Sequence, residues 1–151
     1  MARLVTTRGA DFAELLFASY AELIGDPLVP EGTPDPAAWL YEAPFGLLAH
    51  NTDPDPTFVY ANLTAQHHFE YTWDEFVGLP SRLSAGEEDR EARRVLLDGV
   101  RARGYSNDYR GPRVAKSGRR FWIADATVWN LVTDAGLAGQ AALIRRWENE
   151  A

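Results

Sequence analysis

Phe58-Val59-Tyr60-Ala61-Asn62, followed by Phe69-Glu70-Tyr71-Thr72-Trp73-Asp74-Glu75-Phe76-Val77-Gly78, decides how the rest of the chain is read. The first run is short, aromatic and apolar, and reads as a strand. Asn62 is a residue type that accepts hydrogen bonds from the free N–H groups of a helix start, so it caps a helix running to Phe69. Thr72 and Glu75 have the spacing of a capping box, which opens a second short helix that Gly78-Leu79-Pro80 ends.

Upstream, Asp11 with Glu14 reads as a helix start, and Phe12, Leu15, Leu16, Leu23 and Ile24 share one face before Gly25. The proline-rich run 26–36 is a connector, and Asp35 caps a short helix that Pro36 opens. Phe45 to His50 reads as a strand, and the Asp-Pro-rich turn 51–56 joins it to Phe58 to Ala61 as a hairpin. Downstream, Ser84 with Glu87 opens a helix whose expected apolar face is Ala92, Val95, Leu96, Gly99 and Val100, with a wet, arginine-rich opposite face and a stop at Gly104. Strands over 105–115, 120–132 and 137–147 then form an antiparallel meander, in which Pro112 requires an edge or a bulge. The expected fold class is α+β: a five-stranded antiparallel sheet ordered 2-1-5-4-3, short helices on one face and an added N-terminal helix. Residues 1–36 form the helix and connector, and residues 37–147 the compact domain.

The chain has 151 residues, 46% hydrophobic and 25% charged, which is enough for one core and too little for two ordinary domains. It has no cysteine, which excludes disulfides, thiolate metal sites and thiol capture of a chromophore. No apolar run is long enough to span a membrane, and the start lacks a signal-peptide pattern, so the expected location is cytoplasmic. Residues 9–81 carry twelve acids and no Lys or Arg, whereas residues 82–120 carry eleven basic residues against six acids. The net charge of -7 argues against nucleic acid, and the basic band reads as a solvated helix face with i to i+4 pairs.

Tyr60, Asn62, Phe69, Tyr71, Glu75 and Gly78 fall where PAS-type sensory domains carry their Y-x-N and F-x-Y-x-x-x-E-x-x-G signature. A narrower resemblance rests on the runs 40–45, 48–56, 116–123 and 125–130, which look like those of MEKHLA domain proteins, themselves PAS-like. It spans roughly residues 37–146 and implies a sensory or dimerising role, with no established ligand or catalytic residue. Against light-oxygen-voltage (LOV) flavin domains, Arg113 and Ile123 stand where the two flavin-binding amides would be. Together with the missing cysteine this disfavours a photoactive flavin and leaves a non-covalently bound flavin open. The helix over 87–103 has no histidine, which disfavours haem. The cofactor is left unknown.

Strand alternation puts Phe121, Ile123, Asp125 and Thr127 on one face, with Tyr109, Gly111 and Arg113 on the facing strand. Two readings follow. Arg113 binds the carboxylate or phosphate of a small molecule in a cavity lined by Tyr60, Tyr109, Ile123, Asp125 and Thr127, or it pairs internally with Asp125. Trp122 and Val128 then point outward and need cover from the N-terminal helix or a second subunit, so a homodimer is expected. A partner signalling protein is the other expected readout, since no output domain is present in the sequence.

Catalysis finds no support in the motifs. His67 and His68 are adjacent and cannot share a metal as an i, i+4 pair would, and His50 beside Asp53 and Asp55 reads as turn chemistry. The expectation is a non-enzymatic sensor acting through pocket occupancy. The alternatives are a ligand-free dimerisation scaffold and a small enzyme using the same cavity.

Overall fold

A computed structural model describes residues 9–149. The start of the chain, on which the signal-peptide reading rests, lies outside the described residues. Five antiparallel strands form one sheet in the order β2-β1-β5-β4-β3, as expected from the sequence. The strands are β1 (Gly46–Asn51), β2 (Phe58–Ala61), β3 (Tyr105–Val114), β4 (Arg120–Thr133) and β5 (Gly136–Asn149). The edge position of β3 accommodates the missing donor of Pro112.

The short elements form where their caps stand. Helix α2 (Pro36–Tyr41) is capped by Asp35, whose side chain accepts from Ala38 N, and α3 (Leu63–Phe69) by Asn62, which accepts from Ala65 N. At α4 (Trp73–Phe76) both bonds of the Thr72–Glu75 capping box are present. The first helix, α1 (Ala10–Ile24), starts earlier than expected: Gly9 is its cap and Asp11 lies in its first turn. Gly25 ends it at φ 90°. The Ser84–Glu87 box does not form. Ser84 Oγ donates instead to Ser81 O, two 3-10 turns occupy 81–84 and 87–89, and the long helix α5 (Arg90–Arg103) begins only afterwards.

The two faces of the sheet are covered by different helices. On one, Leu47, Ala49, Tyr60, Trp129, Leu131, Ala141 and Leu143 pack with Phe12, Leu16 and Tyr20 of α1. On the other, Leu48, Phe58, Phe121, Ile123, Ala126 and Ile144 pack with Phe69 and Phe76. Asn62 joins the two ends of this arrangement: its Oδ1 accepts from Leu47 N at 3.0 Å, and its Nδ2 donates to Leu40 O at 3.0 Å and Phe45 O at 2.9 Å.

Alternation along β4 breaks once. Ile123 and Ala126 pack in the same cluster although three positions apart, and between them Asp125 is exposed at φ 49°. The facing strand shows matching register shifts between Ser106 and Tyr109 and between Tyr109 and Gly111, with Asp108 at φ 56°. An extra residue in a left-handed conformation inverts the facing of everything after it.

Candidate functional site

A pocket of about 30 Å³ lies between α5 and the sheet. Leu48 and His50 of β1, Arg113 of β3, Ile123 and Val128 of β4, Gln140 and Ile144 of β5, and Arg93, Leu96 and Leu97 of α5 form its walls. An outer cleft of about 620 Å³, beside the β1–β2 turn, shares His50, Arg93, Leu97 and Gln140 with it. The inner space has room for about two waters or one carboxylate group.

Alpha-helical geometry brings Arg93 inside. The face of α5 turned to the sheet is Arg93, Leu96, Leu97 and Val100, an i, i+3, i+4, i+7 stripe, while Val95 of the expected face is exposed. The helix is thus rotated by about one residue from the sequence expectation, and its supposedly wet face supplies a buried cation. Arg93 is held down to about 9 by burial first, then by the charge of Arg113, with Tyr109 acting in the opposite direction. Arg113 donates to Tyr109 Oη at 3.2 Å and to Pro112 O at 2.7 Å. The Tyr109 ring folds back over Gly111, where a Cβ would stand 2.1 Å from the hydroxyl.

His50 is the second buried polar group on the wall. Its Nδ1 donates to Asn51 O at 3.0 Å, which fixes the proton on that nitrogen and leaves Nε2 as a bare acceptor. Nε2 is fully buried and has no hydrogen-bond partner. Burial, then the charge of Arg93, pushes the imidazole down to about 4, against a weaker opposing effect of the Asn51 bond and with a smaller push from Arg101. Gln140 Nε2 donates to Leu97 O at 3.0 Å and Asn130 Oδ1 at 3.1 Å, pinning α5 to β5.

Of the residues expected at the site, Arg113 and Ile123 line the pocket and Tyr109 orients Arg113. Three do not meet them. Tyr60 lies on the opposite face of the sheet, with its ring centroid 5.5 Å from that of Phe12 of α1. Asp125 points to solvent at the bulge and forms no pair with Arg113; its carbonyl accepts from Arg145 Nη1 at 3.1 Å. Thr127, buried on the α1 face, donates to Asn107 Oδ1 at 2.8 Å and accepts from Arg145 Nη1 at 3.0 Å. The bulge accounts for Asp125 and Thr127, since strict alternation had placed both beside Ile123. It also turns Val128 inward, so the face under α1 carries Trp129 instead, and α1 itself supplies the cover.

His50 and Arg93 were both visible in the sequence and assigned elsewhere, His50 to a turn cluster and Arg93 to a solvated helix face. The residues after His50 do form a turn, in which Asn51 Oδ1 accepts from Asp53 N and Thr57 N, both at 3.1 Å. No group of three or more metal-ligating side chains occurs among the described residues.

Sheet order, helical cover and an interior pocket define a PAS-type fold, and solved structures agree. A PAS domain of a protein from Colwellia psychrerythraea superposes with a TM-score of 0.65 at 14% identity, covering 72% of this chain and 91% of that one. A fungal LOV domain photoreceptor gives a TM-score of 0.63 at 20% identity over 93% of this chain and 94% of its own. The LOV domain of the blue-light activated histidine kinase of Erythrobacter litoralis EL346 gives 0.59 at 18% identity, over 72% of this chain and all of that one. The model of the MEKHLA domain family matches residues 10–149, and the chain belongs to that family. The match takes in α1, which lay outside the runs that carry the resemblance in the sequence. No curated protein matches the chain.

Proposed function

We propose that this chain is a sensory or regulatory module that takes a small molecule into the pocket between α5 and the sheet and passes its occupancy to another protein surface, a second copy of the chain being the expected one. The observation that carries the reading is the pocket wall. His50 Nε2 is buried with no partner on a wall that the pocket shares with an open cleft, where a donor on a bound molecule would satisfy it. Membership of a PAS-like family supports sensing as the use of such a cavity. The inner space of about 30 Å³ does not fit a flavin ring system, and the amide positions of flavin-binding relatives are Arg113 and Ile123 here, so the reading involves no flavin.

Use of the same pocket by an enzyme is the competing reading, because His50 does line it. An imidazole held near 4 is a weak base at neutral pH, and a hydrogen-bond acceptor suits it better. Native mass spectrometry and an absorbance scan of purified protein test the proposal. A retained small mass, or one gained from a metabolite mixture, is the expected result. Bare protein in both conditions would leave the scaffold reading in its place. Light scattering on the eluting peak gives the assembly, with twice the 16.8 kDa chain mass expected.

A further inference from the structure

Arg93 and Arg113 reach the pocket from different walls, one from the covering helix and one from the edge strand. Their exposures are 9% and 8%. Among the described residues neither forms an ion pair with a carboxylate, and Arg93 makes no hydrogen bond. Two like charges drawn largely out of water without a counter-ion are costly, and one anion between them offsets that cost. Guanidinium forks are the side chains best shaped for a planar carboxylate. Leu48, Ile123, Val128 and Ile144 around them give the space an apolar lining, which disfavours a strongly hydrated inorganic ion, and the outer cleft that shares His50 and Arg93 has the room for a short hydrocarbon body that the inner space lacks.

His50 adds a requirement of the opposite kind. Its Nε2 is an acceptor, so the occupant must present a donor as well as an anion. An ammonium donor would face Arg93, leaving a hydroxyl as the compatible group. We infer that the pocket recognises the carboxylate end of a small hydroxy acid, its anionic group between the guanidiniums of Arg93 and Arg113, its hydroxyl donating to His50 Nε2, and its hydrocarbon end lying in the outer cleft that shares Arg93 and His50. This assignment rests on the small-molecule reading above and names the chemistry of the occupant.

Calorimetric titration and thermal unfolding at pH 7 and low salt, with 2-hydroxybutyrate, butyrate, 2-hydroxybutyramide and inorganic phosphate, test it. The hydroxy acid is expected to bind saturably and raise Tm, butyrate to bind roughly fivefold more weakly, and the amide not to bind. R93M should raise Tm in the absence of ligand and abolish the response; should it fail to fold, R113M is read for the same loss of response. H50F should bring the two acids to equal affinity while keeping both. Absence of a saturable response to the hydroxy acid, an undiminished response in the arginine variants, or tighter binding of phosphate would overturn the assignment. In each of these cases, binding of the amide or a retained mass in the native spectrum leaves small-molecule sensing standing, and the lack of both removes that reading too.

Discussion

Asn62 and His50 show how much of this molecule depends on single side chains. Asn62 is fully buried and spends both ends of its amide, accepting from Leu47 N and Ala65 N and donating to Leu40 O and Phe45 O. Asn62→Ala removes a helix cap and strands three backbone groups of other elements, so a loss of about 3 kcal/mol or more is expected in urea unfolding. His50 faces Arg93 and Arg101 of α5 and is held in its neutral form, down to about 4 from 6.5. A histidine with a depressed folded value contributes stability that is fully present above about pH 6.5 and is lost as pH falls toward 4. The expected loss across that window is ~3 kcal/mol, and His50→Gln should flatten it in unfolding curves taken between pH 7.5 and 4.

At the scale of elements, caps and turns were legible because they are local. Asp35-Pro36, Asn62, the Thr72–Glu75 box, Gly25 and Gly104 each carry their own chemistry, and each stands where its residues put it. The order of the strands followed from the hairpin spacings and the PAS-type signature. What escaped was phase. In α5 two apolar stripes overlap, 92-95-96-99-100 and 93-96-97-100, and only the packing against Gln140 and the sheet selects the second, burying an arginine that composition places outside. In β4 the single left-handed residue Asp125 inverts facing, and aspartate in a strand carries no unmistakable mark of it. Three of the six expected site residues were displaced for reasons of this kind or, for Tyr60, because β2 turns that ring toward α1. The bulge is itself testable. Asp125→Gly should be neutral or slightly stabilising, whereas Asp125→Val, which resists positive φ, should cost about 1–2 kcal/mol and disturb the Arg145 contacts to Asp125 O and Thr127 in amide NMR spectra.

Over the whole molecule, the acidic first half and the basic band meet within one chain. Arg82 pairs with Asp55 at 3.2 Å, Arg119 with Glu70 at 3.1 Å, and Lys116 with Glu75. These pairs are exposed, so added salt should change stability little. Helix α1 contributes more, laying Phe12, Leu16 and Tyr20 over Trp129, Leu131 and Leu143, with Tyr20 Oη accepting from Arg145 Nη2 at 2.9 Å. Removing residues 1–25 should uncover that face, seen as dye binding and a shift to larger species in light scattering. One last property follows from β4 having two working sides. Val128 touches the pocket, and the next residue, Trp129, presses edge-on against Tyr20 with ring centroids 5.0 Å apart. A guest of the kind proposed that displaces Val128 is therefore expected to be felt at Trp129, and a change in indole emission on titration that disappears in Trp129→Phe would gauge what the far side holds.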